Sequence, residues 1–320
     1  MLIPRLVVWV VLMFSFADWS YSESYPNNPI RIVTAAAGGG VDFVARLIAP
    51  GISGSLGEQV IVDNRGGAGG IIAIETVARA PPDGYTLLLY SNGMWILPFL
   101  RKNVPYDPVR DFSPIILAVR SPNLIVVHPS LPVNSVKQLI ALAKANPGAL
   151  NYGTSGVGSA NHLAGELFKA MAGVNVVHIA YRANITALTD LIAGQLQLAF
   201  PTAPAVAPYI RSGKLRALAV ASTKPSALVP DLPTVAASGL PGYESEVTLA
   251  AFAPAKTSEA IVSRLNQEIG RFLSGADVKA RLFNIGTEVA GSSPEQLSAT
   301  MKSEMARMGK VIKDAGIHDE

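Results

Sequence analysis

The chain has 320 residues, of which 49% are hydrophobic and 15% charged, and its formal net charge is +3 at neutral pH. This length allows two domains with ordinary cores, and the mild, scattered positive charge does not indicate a nucleic-acid partner. The absence of cysteine excludes disulfides, thiolate metal sites and a cysteine nucleophile.

The first 22 residues have the composition of a secretory signal peptide. Arg5 precedes an apolar run from Leu6 to Ala17, and small residues follow it. We therefore predict a periplasmic protein from which residues 1–22 are removed, with an uncleaved amino-terminal membrane anchor as the alternative. After this leader, no apolar run reaches the roughly 20 residues that span a bilayer.

Short β-branched segments then alternate with helical patterns. The predicted strands are 30–35, 59–64, 85–90, 123–130, 150–154, 174–181, 196–200, 215–221 and 247–255. The predicted helices are 41–52, 69–80, 135–148, one following 154–162, 187–195, 258–274 and 294–314. This alternation predicts an α/β fold with parallel sheets and right-handed crossovers.

Two strand-like passages, near 118–128 and 245–254, join two such α/β clusters. We therefore predict two lobes with a ligand cleft between them, lobe 1 from residues 23–124 and 250–320 and lobe 2 from 125–249. Ligands of such sheets bind where strands end and helices begin. The loops expected at the cleft are 36–42, 91–98, 154–162, 181–186 and 201–205.

The segment NYGTSGVGSANHLAGELF, residues 151–168, is rich in glycine and hydroxyl side chains. An exported serine hydrolase using Ser155 is an alternative function, although the nucleophile-elbow pattern needs glycine where Val157 stands. A phosphate-binding P-loop would need lysine where Ser159 stands. What remains is a glycine-lined helix start near Ser159, which can bind an anion or can simply be a capped helix end.

A second glycine-rich loop lies in the other lobe. Gly38, Gly39 and Gly40 follow a predicted strand, and Asp42 comes near the start of the next helix. Asp42 can cap this helix or contact an amino or hydroxyl group of a ligand. Two such helix starts facing across a cleft would hold a carboxylate without any arginine.

Six segments in chain order form a recognisable set. They are AGGGVDFVARLIAP, VIVDNRGGAGG with ETVARAPPDGYTLLL, VPYDPVRDFSPI, NYGTSGVGSANHLAGELF, IAYRANITALTDLIAGQLQLAF and GKLRALAVAS. Together they closely resemble the extracytoplasmic solute receptors of tripartite tricarboxylate transporters, the Bug family. The resemblance implies a type II periplasmic-binding-protein fold, a monomeric receptor for a small carboxylate, and delivery to large and small integral membrane transporter subunits.

The resemblance also implies a set of ligand-binding residues. They are Ala37, Gly38, Gly39 and Asp42 in the first lobe, Ser155, Gly156, Ser159 and His162 in the second, Tyr181 and Arg182 in AYRAN, and Thr202 and Ala203 after LQLAF. His162 can instead be a helix-face residue bonded to a neighbouring carbonyl, and Arg182 can be a solvated charge at the rim. The resemblance implies neither a cofactor nor a metal ion, and the dispersed histidines show no metal-ligand spacing.

Two departures from the family pattern bear on specificity. Where the family has phenylalanine and proline before the glycines, this chain has Ala35, Ala36 and Ala37. The segment 91–98, which includes Asn92 as a further candidate, carries Met94, Trp95 and Leu97 in place of small or polar residues. Trp95 can line the pocket or pack inside its own lobe.

These departures predict a more apolar pocket and a carboxylate with an aliphatic or aromatic body rather than citrate. Arg182 is the only cationic side chain expected near the cleft, a poor complement for three carboxylates. A sensory receptor that presents the ligand to a signalling protein is a further alternative, since closure of the lobes serves both roles.

Overall fold

The computed structural model describes residues 25–35, 37–38, 40–66, 70–154, 156–181 and 184–317. The predicted signal peptide lies outside the described residues. So do three of the candidate ligand-binding residues, Gly39, Ser155 and Arg182.

The described residues form strands and helices that alternate along most of the chain. The strands are β1 (Ile30–Thr34), β2 (Val60–Asn64), β3 (Thr86–Ser91), β4 (Phe112–Pro122), β5 (Leu124–Val127), β6 (Asn151–Thr154), β7 (Val177–Ala180), β8 (Leu198–Ala199), β9 (Arg216–Val220), β10 (Glu246–Pro254) and β11 (Glu288–Val289). The helices are α1 (Gly40–Leu56), α2 (Ile71–Ala78), α3 (Gly93–Leu100), α4 (Val136–Ala145), α5 (Ala160–Ala172), α6 (Asn184–Ile192), α7 (Ala203–Arg211), α8 (Glu259–Ser274), α9 (Ala276–Asn284) and α10 (Pro294–Asp314). No helix of the described part is long and apolar enough to cross a membrane.

Two sheets organise the molecule, which confirms the predicted α/β class. The first has the order β11-β4-β10-β3-β1-β2, and the second has the order β7-β6-β8-β5-β9. In the first sheet β1 is parallel to β2 and β3, whereas β10 runs antiparallel between β3 and β4. In the second, β6 is parallel to β7 and β8, and β5 is antiparallel to β8 and β9.

The chain passes between the sheets twice. It leaves the first sheet after β4, crosses at Asn123 into β5, and returns after β9 through residues 221–245 into β10. Both changes of sheet fall close to the boundaries at 124/125 and 249/250, and the division into two lobes there stays a prediction.

A continuous apolar core connects the lobes. Buried residues of the first sheet, such as Leu88 and Phe252, belong to the same cluster as Tyr152 and Phe200 of the second. The long helix α10 contacts β4 and α3 on one side and α5 on the other. It begins with a capping box between Ser293 and Gln296, and Pro294 stands at its first position, the signal from which the sequence predicts this start.

Helix α3 differs from the sequence prediction, which treated residues 91–98 as a loop. Residues 93–100 are helical although Pro98 lies inside the segment. Met94, Trp95 and Ile96 are buried on this helix, so tertiary packing outweighs the propensity of a short segment with glycine and proline. Helices α7 and α9 were likewise not predicted.

Candidate functional site

Three adjoining cavities lie between the lobes, and together they are called the cleft here. Their volumes are about 370, 400 and 560 Å³, and they are numbered first, second and third in that order. Val247 of β10 lines all three. Ser91 is shared by the first and third cavities, Ser159 by the first and second, and Thr202 by the second and third.

Five helices begin at the cleft, two from the first lobe and three from the second; one of these three is α6, whose first residue Asn184 lines the second cavity. Gly40 at the start of α1 lines the third cavity, and Gly93 at the start of α3 lines the first. In the second lobe, Ala160 at the start of α5 lines the first and second, and Thr202 immediately precedes α7. Because the first turn of a helix has N–H groups without intrahelical acceptors and a partial positive charge, these ends can bind anions.

The loops that enter α1 and α5 meet adjoining parts of the same cleft. Gly38 lines the third cavity, and Ser159 lines the first two. Gly38 has a φ of 86°, which glycine adopts without the strain of a Cβ atom. The glycine-rich helix starts of the two lobes are therefore brought together, although Gly39 itself lies outside the described residues.

The start of α5 is prepared by a serine cap. Ser159 Oγ accepts a hydrogen bond from the N–H of His162 at 3.3 Å and donates to the carbonyl of Gly156 at 2.9 Å. Within the described part of the chain, the N–H groups of Ala160 and Asn161 have no acceptor. They are the donors that this helix offers to a ligand.

His162 forms a hydrogen bond with the loop that precedes α5, and it does not line the cleft. Its Nδ1 accepts a hydrogen bond from the N–H of Gly158 at 3.1 Å, and its Nε2 lies 3.8 Å from Glu166 Oε1. Burial, helped by the neighbouring His178, lowers the pKa of His162 to about 4, so the ring is neutral at pH 7. His162 lies on α5, and its ring bonds a backbone N–H rather than the carbonyl of the alternative interpretation.

The described hydrogen-bond partners of Asp42 all belong to its own lobe. Its carboxylate accepts hydrogen bonds from the N–H of Gly38 at 2.9 Å, from Arg46 Nε at 2.9 Å and from Asn64 Nδ2 at 2.8 Å. The Gly38 N–H is the main cause that holds the pKa of Asp42 below its usual range, against the opposing effect of burial. The geometry favours the capping interpretation over ligand contact.

Asn92 and Trp95 share one carboxylate. Asn92 Nδ2 donates to Glu304 Oε1 at 2.8 Å and to the carbonyl of Glu246 at 3.0 Å, and it lines the first cavity. The indole N–H of Trp95 donates to Glu304 Oε2 at 2.9 Å. Trp95 is fully buried and packs edge-on against Phe252, the position expected of a residue that packs inside its lobe.

The remaining described candidates take different positions. The hydroxyl of Tyr181 donates to Asp190 Oδ2 at 2.8 Å. Thr202 lines the second and third cavities, whereas Ala203 is buried beneath it. Gly156 receives the bond from Ser159, and Ala37 is exposed beside Gly38. Thr202 is thus the one of these five that faces the cleft directly.

Several cleft residues were not named from the sequence. Ser91, Ala160 and Val247 are the main ones, and strand alternation in β10 could have indicated Val247. The expectation of a single cationic side chain near the cleft is wrong, because Arg101 and Arg307 line the first cavity. Among the described residues, the second and third cavities have no Lys, Arg, Asp or Glu in their walls.

The two α/β lobes, joined by crossing strands and separated by a cleft at the starts of five helices, define a two-lobed solute-binding protein. The profile of the tripartite tricarboxylate transporter family receptor, TctC, matches residues 44–317, and the chain belongs to this family.

Three relatives illustrate the match. Protein BugT of Bordetella pertussis is 34% identical over 302 residues, which cover 92% of this chain and 91% of the relative. The structure of R. palustris Rpa4515 with adipate is 38% identical with a TM-score of 0.74, covering 92% of this chain and 99% of the other. MatC of Rhodopseudomonas palustris, with bound malate, is 30% identical with a TM-score of 0.70, covering 90% and 100%.

Proposed function

We propose that this chain is a periplasmic receptor that binds a small carboxylate in the cleft and delivers it to the large and small integral membrane subunits of a tripartite transporter. The ligand we propose has an aliphatic or aromatic body. Membership of the receptor family supports the role, and relatives with bound adipate and malate support the ligand class.

The observation that carries this proposal is the convergence of four helix starts, those of α1, α5, α6 and α7, on the second and third cavities, whose described walls have no Lys, Arg, Asp or Glu. Each helix start is equivalent to roughly half a positive charge, so four of them suit about two carboxylate groups. Backbone N–H groups, such as that of Ala160, and hydroxyls, such as those of Ser91 and Thr202, would make the direct contacts.

The apolar walls of the cleft support the proposed body of the ligand. Val41 and Leu249 line the third cavity, Ile185 and Leu188 line the second, and Val247 lies between the two. A chain of methylene groups or an aromatic ring would bury its surface there, at about 25 cal/mol per Å² of apolar area. Citrate would place a third carboxylate against these walls and would lose part of its hydration.

Calorimetry with adipate, benzoate and citrate tests the ligand class. We expect adipate or benzoate to bind at least tenfold more tightly than citrate. Tighter binding of citrate would contradict the proposed class while leaving the receptor role intact. Absence of binding for every carboxylate tried, by a folded protein, would contradict the receptor role as well.

Two experiments test the export and delivery steps. Mass spectrometry of the protein from a periplasmic fraction should show a mature chain that lacks the residues up to about position 22. Uptake of labelled ligand by vesicles that contain the two membrane subunits should require the receptor. Retention of residues 1–22, or uptake that is equal without the receptor, would contradict these steps.

A further inference from the structure

A fourth cavity adjoins the first cavity of the cleft, with which it shares Glu244, Glu246, Glu304 and Arg307. Val247 and Leu249 of β10 line the third cavity of the cleft, whereas the alternate residues Glu246 and Thr248 line this fourth cavity, whose volume is about 420 Å³. Arg120 of β4 pairs with Thr248 in the sheet, and Arg307 of α10 covers the cavity. This space, lined also by Glu244, Glu304 and Thr223, is called the rear cavity.

Unpaired polar atoms are concentrated in the rear cavity. Six buried side-chain nitrogen or oxygen atoms of the described residues lack a hydrogen-bond partner, and four of them belong to its walls. These four are Arg120 Nε, Glu246 Oε1, Thr248 Oγ1 and Arg307 Nε. Thr248 is only 6% exposed, so its hydroxyl has little access to bulk solvent. Buried polar groups in native proteins are nearly always paired with protein atoms or ordered water, so this cavity is suited to a polar occupant.

The unpaired atoms specify what that occupant must offer. The two guanidinium Nε–H groups require acceptors, Glu246 Oε1 requires a donor, and the Thr248 hydroxyl can serve as either. Arg120 Nε forms an ion pair with Glu288 Oε2 at 3.5 Å without a hydrogen bond, and Arg307 bonds Glu244 through Nη1 at 2.8 Å, so both Nε–H groups stay available. The occupant therefore has both acceptor and donor groups.

The charged side chains in the walls of the rear cavity limit the class of molecule that can bind there. Glu244, Glu246 and Glu304 outnumber Arg120 and Arg307, so a simple anion such as a dicarboxylate is disfavoured. A simple cation would leave the two guanidinium N–H groups without acceptors. We propose that the rear cavity is a second binding site, for a small zwitterion whose carboxylate faces Arg120 and Arg307 and whose ammonium group faces Glu246.

The titration of Glu246 supports this assignment. Burial raises the pKa of Glu246 to about 7, against the effect of Arg120 and with smaller contributions from Glu244, Glu288 and Glu304. The carboxylate form dominates only above that pH, and it is the form that attracts an ammonium group. Zwitterion binding should therefore be tighter at pH 8 than at pH 6.

Calorimetry at pH 8 with glycine, β-alanine and γ-aminobutyrate tests the proposal on the whole protein. We expect at least one of them to bind, and acetate and methylammonium, which carry one group each, to bind at least tenfold more weakly. Thr248→Val removes the unpaired hydroxyl at nearly constant shape and should weaken zwitterion binding about tenfold. Thr76→Val makes the same change on α2, where Thr76 bonds the carbonyl of Ile72, and should leave zwitterion binding unchanged.

Measurements of adipate binding distinguish a failure of this proposal from a failure of the proposed function. Because the second and third cavities of the cleft share no described wall residue with the rear cavity, adipate held there should bind equally to wild type and Thr248→Val, and saturating adipate should not displace the zwitterion. Competition between them, equal zwitterion affinity in both proteins, or no binding of any zwitterion would overturn the second site. If Thr248→Val does not fold, Glu246→Gln replaces it, and unchanged affinity in that variant would overturn the site equally. Failure of adipate alone would count against the cleft proposal only.

Discussion

Replacement of Ala160 by proline removes one N–H from the cleft and changes little else. Ala160 is the first residue of α5, where the N–H has no intrahelical acceptor and proline is well tolerated. Ser159, the preceding residue, has φ −64° and ψ 155°, the extended conformation that proline requires of its neighbour. The Ala160→Pro variant should therefore fold normally and lack one donor to the ligand.

The size of the effect follows from the kind of hydrogen bond that is lost. A hydrogen bond to a charged group contributes about 1.5–3 kcal/mol. Since 1.4 kcal/mol is a factor of ten in affinity, the Kd for adipate should rise about 10- to 150-fold. The free energy of unfolding should stay the same or increase slightly, because proline restricts the unfolded chain.

Calorimetry with adipate and urea unfolding measure the two quantities. Glu259→Pro is a matched control, because Glu259 is the exposed first residue of α8 and Ser258 before it has φ −61° and ψ 146°. The control should keep the wild-type Kd for adipate. A Kd that changes less than twofold in folded Ala160→Pro would refute the role of this helix start in carboxylate binding.

Three further predictions concern the residues behind the cleft. Asp42→Asn should lower the free energy of unfolding at pH 7 by about 1.5–3 kcal/mol. Because the pKa of Asp42 is lowered in the folded state, this difference in free energy should shrink as pH falls below about 4. Equal stability of the variant and the wild type at pH 7 would contradict the capping role. NMR titration should give His162 a pKa near 4. Because this pKa lies below that of a free histidine, the free energy of unfolding should decline as pH falls from about 6.5 toward 4. A measured pKa above 6 would contradict the buried neutral state of His162. Trp95→Phe leaves Glu304 without one hydrogen-bond donor, so it should reduce the free energy of unfolding by about 1–3 kcal/mol and keep the Kd for adipate within twofold of the wild-type value. A tenfold loss of adipate affinity at unchanged stability would instead identify Trp95 as a ligand contact.

Local signals explain the parts of the fold that the sequence predicts well. Ser135 and Ser293 cap α4 and α10 by hydrogen bonds to residues three positions later, and both starts are visible as short sequence patterns. The apolar strands β1 and β3 are equally clear, because strands covered on both faces are almost continuously hydrophobic.

Long-range contacts explain what the sequence does not reveal. The bond from Trp95 to Glu304 joins α3 to a residue more than 200 positions away, and it helps to turn an expected loop into a helix. The role of His162 depends on Gly158 and on the neighbouring His178 ring, 4.2 Å away between centroids. Val247 gains its central position only because β10 returns between β3 and β4.

A crystal structure of the protein with adipate tests most directly how a carboxylate is held between the lobes. We expect one carboxylate within about 2.7–3.2 Å of the backbone nitrogen of Ala160, and a backbone N–H at the start of α1 or α3 bonded to the same ligand from the first lobe. Adipate held mainly by arginine or lysine side chains, or bound outside the cleft, would contradict this arrangement.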